Sequence, residues 1–281
     1  MRSARFGLLL YTLLLNIPVW AQAPSSSPPQ PSDPQAVAVV QTTIIAPKDL
    51  EAVTIVQSSL STMGWQNLTA LQTAQAQGTL TLLGDSPIDF PIILKSRGSK
   101  QERTELTSGK GVRLFLVNNG RGIIRYPDGS IKRLSDDNMV FQRTDYIPVL
   151  SLISEFDQSH IAVEHMADST LGASAVHVVA VSLYSGQSKQ DAEKLQARTR
   201  MSYFIDAKTN LVLKTSQSNY TENDPSESQR LDTYFSDYRN VGGIMVPFHQ
   251  EVLAGDKPFL NVVFNSLSFG IAVQDSDFSI D

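Results

Sequence analysis

The four histidines of the sequence are the first residues to consider for metal binding or acid–base chemistry. They are His160, His165, His177 and His249, and the only close pair, His160 and His165, is five residues apart. That spacing places two rings on opposite faces of a strand and is poor for chelating one metal on a helix. We therefore predict no metal site, and we interpret His177 and His249 as surface or satisfied core residues.

Local motifs of catalysis are missing from the sequence. There is no Gly-x-Ser-x-Gly elbow, no Ser-x-x-Lys, no His-Glu-x-x-His and no glycine-rich phosphate loop. Asp136 and Asp137 follow a strand-like segment and suit a solvated turn better than a general-acid pair. We predict a protein without enzymatic activity or cofactor, with a hydrolase of unfamiliar site as a less favoured alternative.

The first 23 residues have the composition of a secretory signal peptide. Arg2 and Arg5 precede an apolar stretch at residues 6–15, and the small-x-small pattern at residues 21–23 suits a signal peptidase. The apolar stretch is shorter than the roughly 20 residues that span a bilayer. We expect cleavage after Ala23 and a periplasmic protein.

Charge and cysteine content narrow the possible partners. The chain carries 23 Lys+Arg against 28 Asp+Glu, and cleavage would remove Arg2 and Arg5 but no acidic residue. Without a basic cluster, this balance argues against nucleic acid as a partner. The absence of cysteine leaves no thiol for a lipid anchor and no disulfide, so stability must come from a buried core.

The segment after the signal peptide predicts a spacer and two similar helices. Residues 24–34 are rich in Pro and Ser and suit an extended, solvated spacer. A pattern that begins at Asp33 recurs at Asp49, which predicts an N-terminal helix over residues 35–47 and a second helix that ends at Gly64. The apolar stripe of the second helix comprises Leu50, Val53, Val56, Leu60 and Met63.

From residue 78 onward, the apolar residues alternate with polar ones, which predicts a meander of antiparallel strands. A short helix is expected near residues 146–153, and residues 221–229 are expected to form a long hairpin loop. We assign residues 48–281 to one domain. The predicted strands span residues 78–83, 90–97, 112–118, 122–126, 175–184, 200–206, 211–220, 232–239, 244–253 and 259–269.

The apolar alternation predicts a candidate ligand-binding face. On a curved sheet these side chains could form a packed core, or they could leave a cavity for an apolar ligand, and the sequence leaves both interpretations open. The candidate residues are Leu80, Leu82, Ile92, Leu94, Leu114, Leu116, Ile124, Tyr126, Met201, Tyr203, Ile205 and Phe248.

Three short segments resemble the LolA/LolB-like periplasmic lipoprotein-carrier superfamily. Residues 235–247 resemble its Y-x-x-V-x-G-I-x-x-P hairpin, and residues 206–214 resemble its D-x-x-T-x-L hairpin. Asp277, Phe278 and Ser279 resemble its closing segment. The likeness covers residues 49–281 and is closest to the longer branch of the superfamily.

The resemblance implies an α+β fold with a strongly curved antiparallel sheet, a half-barrel of about ten strands covered by helices. It also implies a non-enzymatic carrier that receives a lipid or the acyl chains of a lipoprotein during outer membrane biogenesis, with a membrane-bound donor or acceptor as a further partner. The alternative is a protein-interaction or envelope-stress sensing module with a fully packed core. The chain departs from the carriers in its Pro/Ser spacer, its duplicated helix and the lack of a matching lid arginine.

Overall fold

The computed structural model describes residues 44–68, 72–98, 100–134, 146–220 and 228–280. These residues belong to one compact unit, Ile44–Asp281. The predicted signal peptide, the spacer, residues 35–43 of the predicted first helix and most of the predicted 221–229 loop lie outside the described residues. The last part of that first helix, residues 44–47, is described and is not helical.

A single antiparallel sheet of thirteen strands dominates the described residues. Its spatial order is β6-β5-β4-β3-β2-β1-β13-β12-β11-β10-β9-β8-β7, so two meanders meet where β1 pairs with β13, and β6 and β7 are the outermost strands. The strands are β1 (Thr73–Leu82), β2 (Ile88–Arg97), β3 (Gln101–Ser108), β4 (Gly111–Asn118), β5 (Arg121–Arg125), β6 (Ile131–Arg133), β7 (Ile161–Leu171), β8 (Ser174–Leu183), β9 (Met201–Asp206), β10 (Val212–Tyr220), β11 (Ser228–Val241), β12 (Ile244–Ala254) and β13 (Lys257–Phe269).

Few helices accompany the sheet. They are α1 (Leu50–Thr62), α2 (Trp65–Leu68) and α3 (Lys189–Thr199), with 3-10 turns at Pro148–Leu150, Leu152–Glu155 and Asp275–Phe278. Among the described residues, no helix has the length and apolar character needed to cross a membrane.

Helix α1 forms where its sequence predicts it. The Asp49 side chain accepts hydrogen bonds from the backbone N–H groups of Glu51 and Ala52, which satisfies two donors of the first turn. The predicted stripe is buried at Val56, Leu60 and Met63, half-buried at Val53 and exposed at Leu50. The buried residues of α1 and its C-cap are Ala52, Val56, Ser59, Leu60 and Met63.

One apolar cluster joins α1 to the sheet, and we call the face of the sheet that belongs to it the inner face. Helix α1 packs on β7 and β8. The opposite, outer face is covered in two places. Helix α3 contributes Ala192 to a small cluster with Ala162 and Tyr184, and the C-terminal segment contributes Ile280 to a cluster on β4 and β5.

Several elements depart from the prediction. Strands β3, β6 and β7 were missed, because β3 is mostly charged or polar, β6 has three residues and β7 has a polar second half. Helix α3 was missed because Ala192 is its only buried residue. The helix expected near residues 146–153 is instead two 3-10 turns, since the extended backbone of Ser151 separates them.

The C-terminal end of α1 docks on the β11–β12 hairpin through glycine. Gly64 has φ 80° and ends the helix, and a Cβ at this position would lie 2.0 Å from the carbonyl oxygen of Gly243. The Asn67 side chain donates a hydrogen bond of 3.0 Å to the same carbonyl oxygen. The close approach therefore allows no side chain at position 64.

Replacing Gly64 by alanine is expected to lower the free energy of unfolding more than the same change at Gly120. Both glycines have a positive φ, 80° and 79°, but a Cβ at Gly120 would meet nothing within 4 Å. Both variants therefore lose about 1–2 kcal/mol because alanine disfavours a positive φ. The clash at Gly64 adds a further loss of about 1–3 kcal/mol. Urea denaturation of both variants measures the difference, and equal losses would contradict the close approach.

Candidate functional site

The register of the sheet identifies which side chains share the inner face. Residues directly opposite each other on paired strands point to the same side. Phe90 lies opposite Leu80, Leu80 opposite Val262, and Val262 opposite Gln250, which in turn lies opposite Phe235. The five side chains form one continuous row across the inner face.

Ten of the twelve candidate residues belong to this inner face. Leu82 packs against the cluster, and Ile124 and Tyr126 lie on the same side, because Ile124 pairs with the inner residue Phe115. The structure therefore brings most of the predicted site together. The seven candidates buried within the cluster are Leu80, Ile92, Leu94, Met201, Tyr203, Ile205 and Phe248.

Leu114 and Leu116 lie on the outer face, apart from the other ten candidate residues. Inner-face Leu106 pairs with Arg113, so the odd-numbered residues of β4 point inward. Leu116 instead packs with Ile123 and Ile280, and Leu114 packs against that cluster. The inner apolar residue of this strand is Phe115, which sequence alternation alone did not identify.

The apolar surface of the inner face extends to solvent at one end of β1 and β2. Ile88 is exposed, and it pairs with Leu82, which is half-buried. Leu82 also lies opposite Leu260, and Leu260 lies opposite the half-buried Val252. This row, which we call the apolar rim, leads from the buried core to the surface.

A polar bridge holds the segment around the first 3-10 turn against the middle of the inner face. The hydroxyl groups of Ser151 and Tyr203 are 3.0 Å apart, and Gln250 donates a hydrogen bond of 2.5 Å to the carbonyl oxygen of Tyr146. The Tyr146 ring meets Phe264 edge-on at 6.3 Å. Burial raises the pKa of the Tyr146 hydroxyl.

Arg113 places a cation on the inner face of β4. Its guanidinium lies 5.1 Å from the centre of the Tyr126 ring, and its Nε is buried without a hydrogen-bond partner among the described residues. Burial lowers the pKa of Arg113, although the nearby Tyr126 opposes the shift. A guanidinium with an unused donor beside apolar side chains can bind an acidic group.

The segments that carry the family resemblance form hairpins and a closing turn. Residues 235–247 form the β11–β12 hairpin around Gly242 and Gly243, which have φ 61° and 87°. In the β9–β10 hairpin, the Asp206 carboxylate accepts backbone N–H groups of Lys208 and Thr209. In the C-terminal turn, Phe278 is fully buried.

The fold of this chain is similar to that of several solved structures. No protein-family model matches the sequence, and neither does any curated protein. A domain from Vibrio parahaemolyticus named for outer membrane lipoprotein sorting is 13% identical, with 81% of this chain and 96% of that chain covered and a TM-score of 0.54. A DUF1329 family protein from Desulfovibrio piger is 11% identical, with 82% and 97% covered and a TM-score of 0.55.

A LolA superfamily protein from Nitrosomonas europaea is similar to the same extent. It is 10% identical, with 81% of this chain and 97% of that chain covered and a TM-score of 0.55. At these identities the likeness concerns the fold. The predicted fold class, a strongly curved antiparallel half-barrel sheet with helices, is confirmed, with thirteen strands instead of about ten and with few helices. The LolA/LolB-like relationship is confirmed at the level of fold.

Proposed function

We propose that this protein, which has the LolA/LolB-like fold, binds a lipid or the acyl chains of a lipoprotein on its inner face. The observation that carries the proposal is the apolar rim, where the inner face continues from the buried Leu260 through Leu82 to the exposed Ile88. A fully closed core would end on buried or polar side chains. An apolar chain laid along this rim would cover surface that water now contacts.

The energy available from such a contact is sufficient for binding. Burial of each methylene group contributes about 0.8 kcal/mol, so about six methylene groups along the inner face would supply about 5 kcal/mol. Leu82, Phe90 and Phe115 are half-buried and pack against the inner cluster, so each can contribute further apolar contact.

Arg113 supports a ligand that carries an acidic head group. It lies two positions before Phe115 on β4, and side chains two positions apart on a strand share a face. Its unused Nε donor could bind a phosphate or carboxylate while an acyl chain occupies the apolar surface beside it. Leu82 and Tyr126, the candidate residues of the inner face that are only half-buried, would line the same surface.

The cellular setting of the proposal is the periplasm, after cleavage following Ala23. One of the similar structures is named for outer membrane lipoprotein sorting, and a role of this kind suits a non-enzymatic carrier between a membrane-bound donor and an acceptor. The proposal assigns no cofactor to lipid binding, because holding an acyl chain requires only apolar surface and a polar anchor.

The test uses two adjacent residues of β4 that face opposite sides of the sheet. Phe115→Glu is expected to abolish most lipid recovery, because it places a carboxylate against the acyl chain, whereas Leu114→Glu places the same charge on the outer face. An uncompensated buried polar group costs at least about 1–3 kcal/mol, a loss of about fivefold or more in affinity. Organic extraction and mass spectrometry of protein purified from its native envelope measure the bound lipid.

Circular dichroism of both variants shows whether each remains folded. Equal lipid content in the wild type and in a folded Phe115→Glu variant would overturn the inner face as the binding site. A wild type without lipid, which also fails to take up fluorescent fatty acids, would instead favour the interaction or stress-sensing module with a packed core.

A further inference from the structure

Two histidines and an aspartate meet on the β7–β8 hairpin at one edge of the sheet. The Nδ1 atom of His177 lies 2.7 Å from Oδ1 of Asp168, and Nε2 of His165 lies 3.3 Å from the same oxygen. One ligand atom from each residue lies within 4.8 Å of the others. The three side chains therefore present two imidazole nitrogens and one carboxylate to a common point.

A β-bulge in β7 produces this arrangement. His165 and Asp168 are three positions apart, so a regular strand would place them on opposite faces. The register shifts between His165 and Ala167, and the extra residue returns Asp168 to the side of His165. Asp168 also lies directly opposite His177, which brings all three side chains to one face.

A second carboxylate lies close to the other nitrogen of His165. Oε2 of Glu51, in the first turn of α1, lies 3.3 Å from Nδ1 of His165. Histidines that bind a metal through one nitrogen commonly donate the N–H of the other to a carboxylate, which fixes the orientation of the ring. Glu51 occupies the position of such an orienting group.

We infer that His165, Asp168 and His177 bind a divalent transition metal such as Zn²⁺, with Glu51 as the residue that orients His165. Two imidazoles and one carboxylate are a ligand set suited to Zn²⁺, and water would complete a tetrahedral site. This inference replaces the sequence-based expectation of no metal site. That expectation considered only histidines close in sequence, whereas cross-strand pairing unites His165 with His177.

One ligand atom of each residue lies within 4.8 Å of the others, and two of the separations are already close to those of a zinc site. Bonds of 2.0–2.1 Å to a tetrahedral zinc place neighbouring ligand atoms about 3.3 Å apart. The distance from Nε2 of His165 to Oδ1 of Asp168 already has this value. The 2.7 Å distance from Nδ1 of His177 to the same oxygen must widen by about half an ångström. Asp168 is exposed and His177 is half-buried, so both side chains can move.

The site would tie α1 to the edge of the sheet. Helix α1 begins beside β7, where the N–H of Asp49 donates a hydrogen bond to the carbonyl oxygen of Val163. A metal held by the β7–β8 hairpin fixes His165 and, through it, Glu51 of the first turn. Because the ion binds the folded chain, we expect Zn²⁺ to raise the melting temperature.

The experiment titrates Zn²⁺ into untagged protein in competition with a chromophoric chelator. The wild type is expected to bind one equivalent, and Asp168→Asn and His177→Gln are each expected to weaken binding by at least about tenfold. Glu51→Gln is expected to weaken it about 10–100-fold, the usual effect of removing an orienting partner. His160→Gln, which changes an exposed histidine outside the cluster, is the control and should bind as the wild type does.

Thermal unfolding with and without Zn²⁺ provides a second measurement. The increase in melting temperature is expected in the wild type and in His160→Gln, and it should be lost in Asp168→Asn and His177→Gln. A wild type that competes for no Zn²⁺, or an Asp168→Asn variant with wild-type affinity, overturns the site. The result is independent of lipid binding, because the titration uses the metal alone.

Discussion

Replacing Leu60 by alanine is expected to lower the free energy of unfolding by about 2–5 kcal/mol, the usual range for this change in a packed core. Leu60 is 1% exposed and lies in the apolar cluster that joins α1 to the inner face. The substitution removes buried methyl groups and leaves a space that the surrounding strands can fill only in part. Urea denaturation monitored by circular dichroism measures the loss.

Leu50→Ala on the same helix is the matched control. Leu50 is 84% exposed, so its truncation should change the free energy of unfolding by no more than about 0.5 kcal/mol. Both variants should be compared after lipid extraction, because a ligand bound only to the folded state adds to apparent stability. Equal effects at the two positions would mean that α1 does not pack on the sheet through Leu60.

The position of α1 was predictable because its signals are local. Asp49 caps the first turn, and Gly64 supplies the left-handed residue that ends the helix. The β11–β12 hairpin was predictable for the same reason, since Gly242 and Gly243 allow a tight turn. Both elements depend on residues close in sequence, and the hairpin also carries part of the family resemblance.

The elements that were missed depend on tertiary context. In strand β3 only Thr104 and Leu106 show the alternation of buried residues. Its charged residues face the outer side or form local ion pairs, as Arg103 does with Glu105 at 2.6 Å. Its neighbours β2 and β4 hold it in the sheet. Propensity and periodicity give little sign of such a strand, because its stability comes from the two strands beside it.

The sequence predicted that the sheet has an apolar face, but it did not predict every residue of that face. On β4 both alternating sets contain apolar side chains, Phe115 on one side and Leu114 and Leu116 on the other. Only the register with β3 decides which set faces inward. The histidine cluster was harder to predict, because it depends on the bulge beside His165, in a strand that the sequence did not predict.

The outer face contains a buried ion pair whose loss should be at least as costly as the cavity left by Leu60→Ala. Oδ2 of Asp232 accepts from Lys214 Nζ at 3.0 Å and lies 3.1 Å from Nε of Arg230. Asp232→Asn is expected to lower the free energy of unfolding by about 3–5 kcal/mol, because it leaves the buried ammonium of Lys214 without its carboxylate. Denaturant titration at neutral pH measures this effect.

Asp256→Asn is the matched control, because Asp256 pairs with the same Arg230 at the surface. The Asp256 side chain is 94% exposed, whereas that of Asp232 is 4% exposed. An exposed ion pair contributes only about 0–1 kcal/mol, since water already solvates both charges. A similar small loss in both variants would show that the rings of Phe204 and Tyr234, which lie 4.8 and 5.1 Å from Lys214 Nζ, suffice to hold its charge.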